Sequence, residues 1–471
     1  MRLITIALGA LLLPVAAAHA QATSPPPAVV PANVQGVLER LRARALASNN
    51  AYEIVESLTT EVGPRLAGSP GEARARDWAV AMLRAQGFEN VRVETFDIPY
   101  WRATRQTAEI TAPAPQPLAI AALGGSASTP AGGTEAEVIR FASASELEAA
   151  PAASIAGRIV FVDERMTATA DGAGYGAAVR KRGACPRVAR ERRAAACLIR
   201  SVGTDSHRFP HQGASGAIAQ GAGVPAAALS NPDADQLARL LSRGRVRLRL
   251  QIETETQNRV QSGNVIGEIR GRDRPDEIVL LGAHLDSWDA GTGAIDDGAG
   301  VAIVAAAARL IRDLPRRPRR TIRLVLFGAE ETGVFGGADY ARRHANELPK
   351  HVVASESDFG AGRIWRYRTR FGAGDEGYAA RFFAALAPLE VFVTDAQPAS
   401  GGADIGAMRE AGVPVFDLTQ NGLDYFDYHH TADDTLDKID PAALRQNVAA
   451  WATIAYLAAE TDWNLRSAEA R

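Results

Sequence analysis

The segment from Leu281 to Gly300, LGAHLDSWDAGTGAIDDGAG, constrains the fold of this chain more than any other stretch. It is entered through the apolar run Ile278-Val279-Leu280-Leu281, which reads as a buried strand. With a side-chain period of two, His284 and Asp286 leave the end of that strand on the same side of the sheet. A Gly-rich loop leads to Asp296-Asp297-Gly298, and the apolar stretch from Val301 to Ile311 then reads as a helix. Ligands of open α/β sheets collect in the crevice outside the carboxyl ends of the strands. A histidine and several carboxylates converging there suggest a metal site, provided the rest of the chain supplies partners.

The pattern around this segment is repeated strand and helix. Strands are predicted at residues 264–269, 277–283, 321–327, 352–355, 363–370 and 413–418, and helices at 298–313, 334–348, 376–389, 405–411 and 441–462. Helices between strands imply an α/β fold with a mostly parallel, mixed sheet covered by helices on both faces. Upstream, a helical pattern covers about 34–60, a turn follows at 63–71, and a second helix (72–86) and a strand (91–98) form one βα layer that awaits a sheet. At 471 residues the chain is too long for one ordinary core. Between about 107 and 258 the texture changes to Ala, Gly, Pro and Ser with short apolar strands such as Ile159-Val160-Phe161-Val162. That shift predicts a β-rich domain inserted at 107–258 between two parts of the main domain, 46–106 and 259–471.

Arg2, the apolar segment Leu3 to Ala18 and the small-x-small pattern Ala18-His19-Ala20 predict a signal peptide over residues 1–20, followed by a Pro-rich leader over 21–45. No later stretch reaches the roughly 18–20 apolar residues of a spanning helix, so the mature form is expected in solution, secreted or periplasmic, with no membrane association. The 52 basic and 54 acidic residues leave a net charge of −2, and no global field draws the chain to nucleic acid. An oxidising compartment permits a bridge between Cys185 and Cys197, the only cysteines, but two small core residues are an equal reading. His207 and His211 lie four apart in a Pro-containing stretch that reads as a surface loop.

Three further acidic or histidine clusters fall at strand ends or before the last helix: Gly328-Ala329-Glu330-Glu331-Thr332-Gly333, Ser355-Glu356-Ser357-Asp358-Phe359-Gly360, and Tyr428-His429-His430-Thr431-Ala432-Asp433-Asp434-Thr435. Taken singly each reads as structural; adjacent acids, for instance, suit a helix N-terminus. Taken together, two histidines and three carboxylates can hold two divalent ions if one carboxylate bridges, with a further glutamate left as a base.

In this order, His284-x-Asp286, Asp296-Asp297-Gly298, Glu330-Glu331, Glu356-Ser357-Asp358 and His430-Thr431-x-x-Asp434-Thr435 resemble the aminopeptidase Y family, peptidase family M28, of dinuclear zinc exopeptidases. The resemblance runs from about Ala51 to Trp463. It implies the zinc exopeptidase fold and two Zn2+ per chain, with Asp296 bridging them. One ion would be completed by His284 and Asp358, the other by Glu331 and His430. Glu330 would be the general base, Asp286 would orient His284, and the Asp296–Asp297 peptide would be cis. His430 is taken over His429 because Thr431 follows it directly. The donor set also admits Mn or Co. The resemblance further implies a protease-associated domain for the insertion, a possible homodimer, and dipeptides or small peptides with free termini as substrates.

Arg366, Arg368 and Arg370 alternate on one predicted strand and are candidates for a substrate carboxylate, although charge guarding an exposed edge explains them as well. Asp404 and Tyr425 are further pocket candidates. Carboxypeptidase, dipeptidase and aminopeptidase use stay open on the sequence. A non-catalytic receptor-like member of the fold would lack ligands, whereas all five ligands and the base are present here. A mononuclear amide-processing enzyme related to glutaminyl cyclases would leave one histidine-centred subsite unused.

Overall fold

The apolar run that ends at His284 lies in the middle of a sheet. In a computed structural model, which describes residues 30–466 except 217, 219, 220, 373–375 and 396, the strands in chain order are β1 (Glu89–Ala112), β2 (Gln116–Leu118), β3 (Ile120–Ala122), β4 (Thr134–Phe141), β5 (Ile159–Val162), β6 (Ala196–Arg200), β7 (Ala226–Leu229), β8 (Arg247–Ile269), β9 (Arg274–His284), β10 (Arg320–Phe327), β11 (His351–Glu356), β12 (Ile364–Arg370) and β13 (Val415–Gln420). The signal peptide expected at 1–20, and the leader up to residue 29, lie outside the described residues.

The first layer runs β12-β13-β11-β9-β10-β8, with β1 on β8. β9 pairs in parallel with β10 and β11, and β11 with β13, while β8 and β12 join antiparallel. Alternation along the strands divides their side chains between two cores. Val279, Leu281, Leu324 and Leu326 pack with the helices Ala299–Arg312 and Pro441–Glu460 on one face. Ile278, Leu280, Val325 and Phe327 pack with Tyr340, Ile405 and Met408 on the other. The result is the mixed, mostly parallel sheet, covered on both faces, that the strand and helix order predicts.

A helical pattern was expected over about 34–60, overlapping a leader expected at 21–45. The helix Ala32–Ala47 starts within those leader bounds, and its Val34, Leu38, Leu41 and Ala45 are buried in the same core as the last helix. Their spacing of three and four residues presents one apolar stripe, so the segment gains more from packing than from solvent exposure.

Residues 107–258 hold a second layer, β4-β5-β6-β7-β3, which continues the same 13-stranded sheet through β4 antiparallel on β8 and is parallel from β4 to β7, with its own apolar clusters around Phe161, Leu198 and Leu248 and around Val160, Ile199 and Val188. The strand expected to end at Ile98 continues to Ala112, and its partner β8 runs unbroken past residue 258. Val93 pairs with Val265 in the first layer and Ile110 with Leu248 in the second, so one antiparallel ribbon spans both layers. Cys185, in the helix Arg180–Glu191, and Cys197, in β6, form a disulfide with Cα atoms 6.0 Å apart. The helix folds back onto its following strand, which brings together two residues that their separation in sequence left uncertain. Among the described residues no helix is long and apolar enough to cross a membrane.

Candidate metal centre

His284 is the last residue of β9. Its Nδ1 donates to the main-chain carbonyl of Asp286 at 3.0 Å, which leaves Nε2 facing Asp296 Oδ1 at 3.1 Å and Asp358 Oδ1 at 3.5 Å. Orientation of His284 by Asp286 is therefore made through the backbone, the nearer carboxylate oxygen being 3.8 Å away. That carboxylate instead accepts from the main-chain N–H groups of Glu330 at 3.0 Å and Glu331 at 3.3 Å, and so fixes the turn that follows β10.

Asp296 and Asp297 sit before the buried helix Ala299–Arg312, and the peptide between them is cis. The Asp297 carboxylate accepts from His284 N at 3.1 Å and from Gly300 N at 3.0 Å, tying the strand end to the helix start. Gly300 has to be glycine here, since a Cβ would stand 2.2 Å from that carboxylate and 2.0 Å from Ser357 O. Asp296 is left to face the opposite way, with Oδ1 toward His284 and Oδ2 3.1 Å from Nε2 of His430. His430 Nε2 also meets Glu331 Oε2 at 2.9 Å, and His430 Nδ1 donates to Gln212 O at 3.3 Å. His429 stacks on His430, and its Nε2 is 3.4 Å from Asp296 Oδ2. Two groups with metal-ligand spacing thus share one carboxylate: His284, Asp296 and Asp358, and Asp296 with His429 and His430.

The electrostatics suit a cation. Burial raises the carboxyls of Glu330, Glu331 and Asp358, with opposition from the neighbouring histidines. Burial also acts upward on Asp296, yet His429, His284 and His430 hold it well below the usual carboxylate range. His430 is pushed up to about 9: burial lowers it, but the carboxylates of Glu331 and Asp296 more than offset the burial. His429, by contrast, is held well below the ordinary value by burial and by the adjacent His430. Asp296 Oδ2 and Glu331 Oε1 are buried with no hydrogen-bond partner among the described residues. Buried carboxylates that keep an unpartnered oxygen beside imidazole nitrogens are a donor set that divalent zinc fits.

The pocket candidates separate. Arg368 donates to Asp417 at 3.0 Å and lines a cavity of about 200 Å³ together with Asp358, Glu356, Phe359 and Asp171. Arg366 is buried between Asp171 at 3.5 Å and Asp395 at 3.3 Å, and Arg370 turns away to the carbonyl of Ala399. Asp404 is fully buried; its Oδ1 accepts from Gly337 N at 2.6 Å, and burial raises its carboxyl to about 7. Tyr425 packs against Phe359 and His429 beside the centre.

Sequence reasoning missed several supports. Arg65, fully buried, donates to the carbonyls of Leu285, Thr292 and Gly293 and so holds the Gly-rich loop in place; burial lowers its guanidinium. Asp434 accepts from Ile295 N at 2.7 Å, just before the Asp296–Asp297 pair. His211, read as a surface-loop residue, is fully buried against this site. An arginine in a Gly-Pro turn and a histidine after a proline carry no periodic signal that betrays burial.

The family model described as Peptidase family M28 matches residues 264–455. Carboxypeptidase Q of Mus musculus is 35% identical over 417 residues, covering 88% of this chain and 86% of that protein. Its counterpart from Homo sapiens is 33% identical over 419 residues with the same coverage of 88% and 86%. Among solved structures, a peptidase M28 precursor from Shewanella amazonensis SB2B is 47% identical, with a TM-score of 0.88 over 92% of this chain and 98% of that one. A zinc aminopeptidase from Bacillus subtilis, 20% identical with a TM-score of 0.65 over 88% and 95%, shares the fold. The chain belongs to peptidase family M28 and is a metallo-exopeptidase of that family.

Proposed function

We propose that this chain is an exported zinc-dependent exopeptidase that hydrolyses dipeptides or small peptides with free termini. The observation that carries the reading is the placement of the Asp296 carboxylate between two histidines, one oxygen toward each, with Asp358 and Glu331 on the outer sides. His284, Asp296 and Asp358 would hold one ion, and Asp296, Glu331 and His430 the other. Zinc bound there would supply Lewis acidity, polarising the scissile carbonyl and acidifying water. Glu330, half-buried and held by its own main chain to Asp286, takes a proton from the attacking water and delivers it to the leaving amine. Its raised carboxyl, pushed up by burial, suits a group that must hold a proton during the reaction.

A cavity of about 200 Å³ beside Asp358 has room for a substrate side chain next to the centre. Of the three alternating arginines, Arg368 is the one in its lining, and we assign it the substrate carboxylate. The unit from 107 to 258 acts as an inserted domain that narrows the approach, since Asp171 from it reaches the same cavity. Export rests on the pattern at residues 1–20, and dimer formation on the family resemblance; size-exclusion chromatography of the mature chain tests the latter.

The test is the hydrolysis rate of an unblocked dipeptide by the zinc-loaded mature chain, beside Glu330→Gln. Loss of about three orders of magnitude with unchanged metal content is the expected result. Equal rates would contradict the mechanism. N-acetylated and C-amidated dipeptides run in parallel distinguish use of the free amine, an aminopeptidase reading on longer peptides, from use of the free carboxylate.

A further inference from the structure

The two histidines of the centre are held in different ways. His284 ends a central strand, and its Nδ1 is satisfied two residues along the same chain. His430 has φ 64°, a left-handed backbone that residues other than glycine seldom adopt, so its turn needs support from outside. That support comes from the second layer. The loop after β6 brings Gln212 N to His430 O at 3.0 Å and Thr204 N to Phe426 O at 3.1 Å, while Thr204 Oγ1 donates to Asp427 at 2.7 Å.

His211 stands at the centre of this contact. Its Nδ1 donates to the carbonyl of His429 at 2.7 Å, and its Nε2 faces Asp205 Oδ1 at 2.7 Å. The ring has no exposed surface. Asp205 is itself fixed, accepting from Asn231 Nδ2 at 3.0 Å and from His207 N at 2.9 Å. Main-chain N–H of His211 donates to Ser201 Oγ at 2.9 Å, anchoring the other end of the residue to the second layer. Gly203 lies against the ring so closely that a Cβ would stand 2.1 Å from Nε2. The imidazole is thus boxed between a carboxylate and the carbonyl that precedes His430.

We propose that His211 is a positioning residue for the metal centre: with Asp205 behind it, it holds the His429–His430 turn so that Nε2 of His430 stays aimed at Asp296 and Glu331. This rests on the reading of His430 and Glu331 as ligands. The second layer then completes the metal site from behind while touching neither the ion nor the substrate through this residue. Groups that orient a ligand from behind change metal affinity by about 10- to 100-fold when removed.

The experiment is titration of the apoprotein with zinc against a chelator of known affinity, for the full mature chain and for His211→Ala, His211→Gln, Gly203→Ala and the control His207→Ala. In His211→Ala one of the two zinc equivalents is expected to lose about 10- to 100-fold in affinity while the other is unchanged, with kcat lowered and KM preserved. His211→Gln, which keeps one donor, should fall between. Gly203→Ala, which leaves both partners in place and displaces the ring, should move the same equivalent, and it decides the matter if His211→Ala does not fold. His207→Ala should match the parent chain. Unaltered affinity for both equivalents in folded His211→Ala and Gly203→Ala would overturn the positioning role and leave the metal centre standing. A parent chain that takes up fewer than two zinc ions would overturn the metal-centre reading, and this proposal with it.

Discussion

The His284 side of the centre and the His430 side present the same chemistry on unlike supports. His284 ends β9 and Asp358 follows the neighbouring parallel strand β11, and the Asp297 carboxylate ties His284 to a helix that is almost wholly buried. His430 sits on a turn outside the sheet and is gripped by a loop from another layer. Packing fixes the first side as a by-product of the core, whereas the second is fixed by hydrogen bonds that one residue can break. A sheet can therefore deliver half of such a site by itself, and the other half depends on what is inserted elsewhere in the chain.

Substitutions at the shared carboxylate should have the largest effect and abolish the distinction. Asp296→Ala removes the group common to both sides, so both zinc equivalents should weaken together and dipeptide hydrolysis should fall by at least about 10⁴-fold, read by metal analysis and steady-state kinetics. Selective loss of one ion would mean that Asp296 serves one side alone. A smaller effect is expected beyond the His284 side, in the cavity. Arg368→Ala should raise KM for an unblocked dipeptide about tenfold with little change in kcat and none in zinc content, as for loss of uniform substrate binding. An unchanged KM would remove Arg368 from the substrate site.

The smallest effect on catalysis is expected at the opposite end of β11, where His351 begins the strand that leads to Asp358. His351 Nδ1 donates to Glu347 O and its Nε2 accepts from Tyr340, while Arg323 donates to Tyr340 and Glu347. Burial, aided by the nearby Arg323, holds the imidazole down at about 4. The unfolded chain therefore binds a proton between pH 6.5 and about 4 that the folded chain refuses, and stability falls as pH falls through that window. The loss should approach about 3 kcal/mol near pH 4. Glu347 and Glu94 act further down. Burial raises each, but Arg323 and His344 for Glu347, and His344 and Arg92 for Glu94, bring them to about 2. Their stabilisation is complete above their ordinary range and is lost as pH falls toward 2. Urea unfolding against pH should show both steps. His351→Gln should flatten the upper one while leaving kcat at neutral pH unchanged; a parallel pH dependence in that variant would exclude His351.

This asymmetry also decides what the sequence disclosed. The α/β fold, the central strand and the buried helix were legible because Ile278 to Leu281 and Val301 to Ile311 are apolar runs with clear boundaries. The clusters at His284, Asp296, Glu330, Asp358 and His430 were legible because acids at successive strand ends have no common structural reason to recur. The supporting roles of His211, Arg65 and Asp434 were not, because each acts through main-chain carbonyls or N–H groups that no side-chain pattern records. The reach of β1 past Ile98 was missed because Arg102 to Gln106 is polar and exposed on a ribbon between layers, where alternation against a core gives no guide. That the helix from Ala32 belongs to the core was hidden because its partner, the helix from Pro441, lies at the other end of the chain.

The most direct test of the account is anomalous diffraction at the zinc edge from crystals of the zinc-loaded mature chain. Two peaks about 3.5–4 Å apart are predicted, one between His284 and Asp358, the other between Glu331 and His430, with Asp296 touching both. A single peak, or two that do not share Asp296, would contradict the central claim.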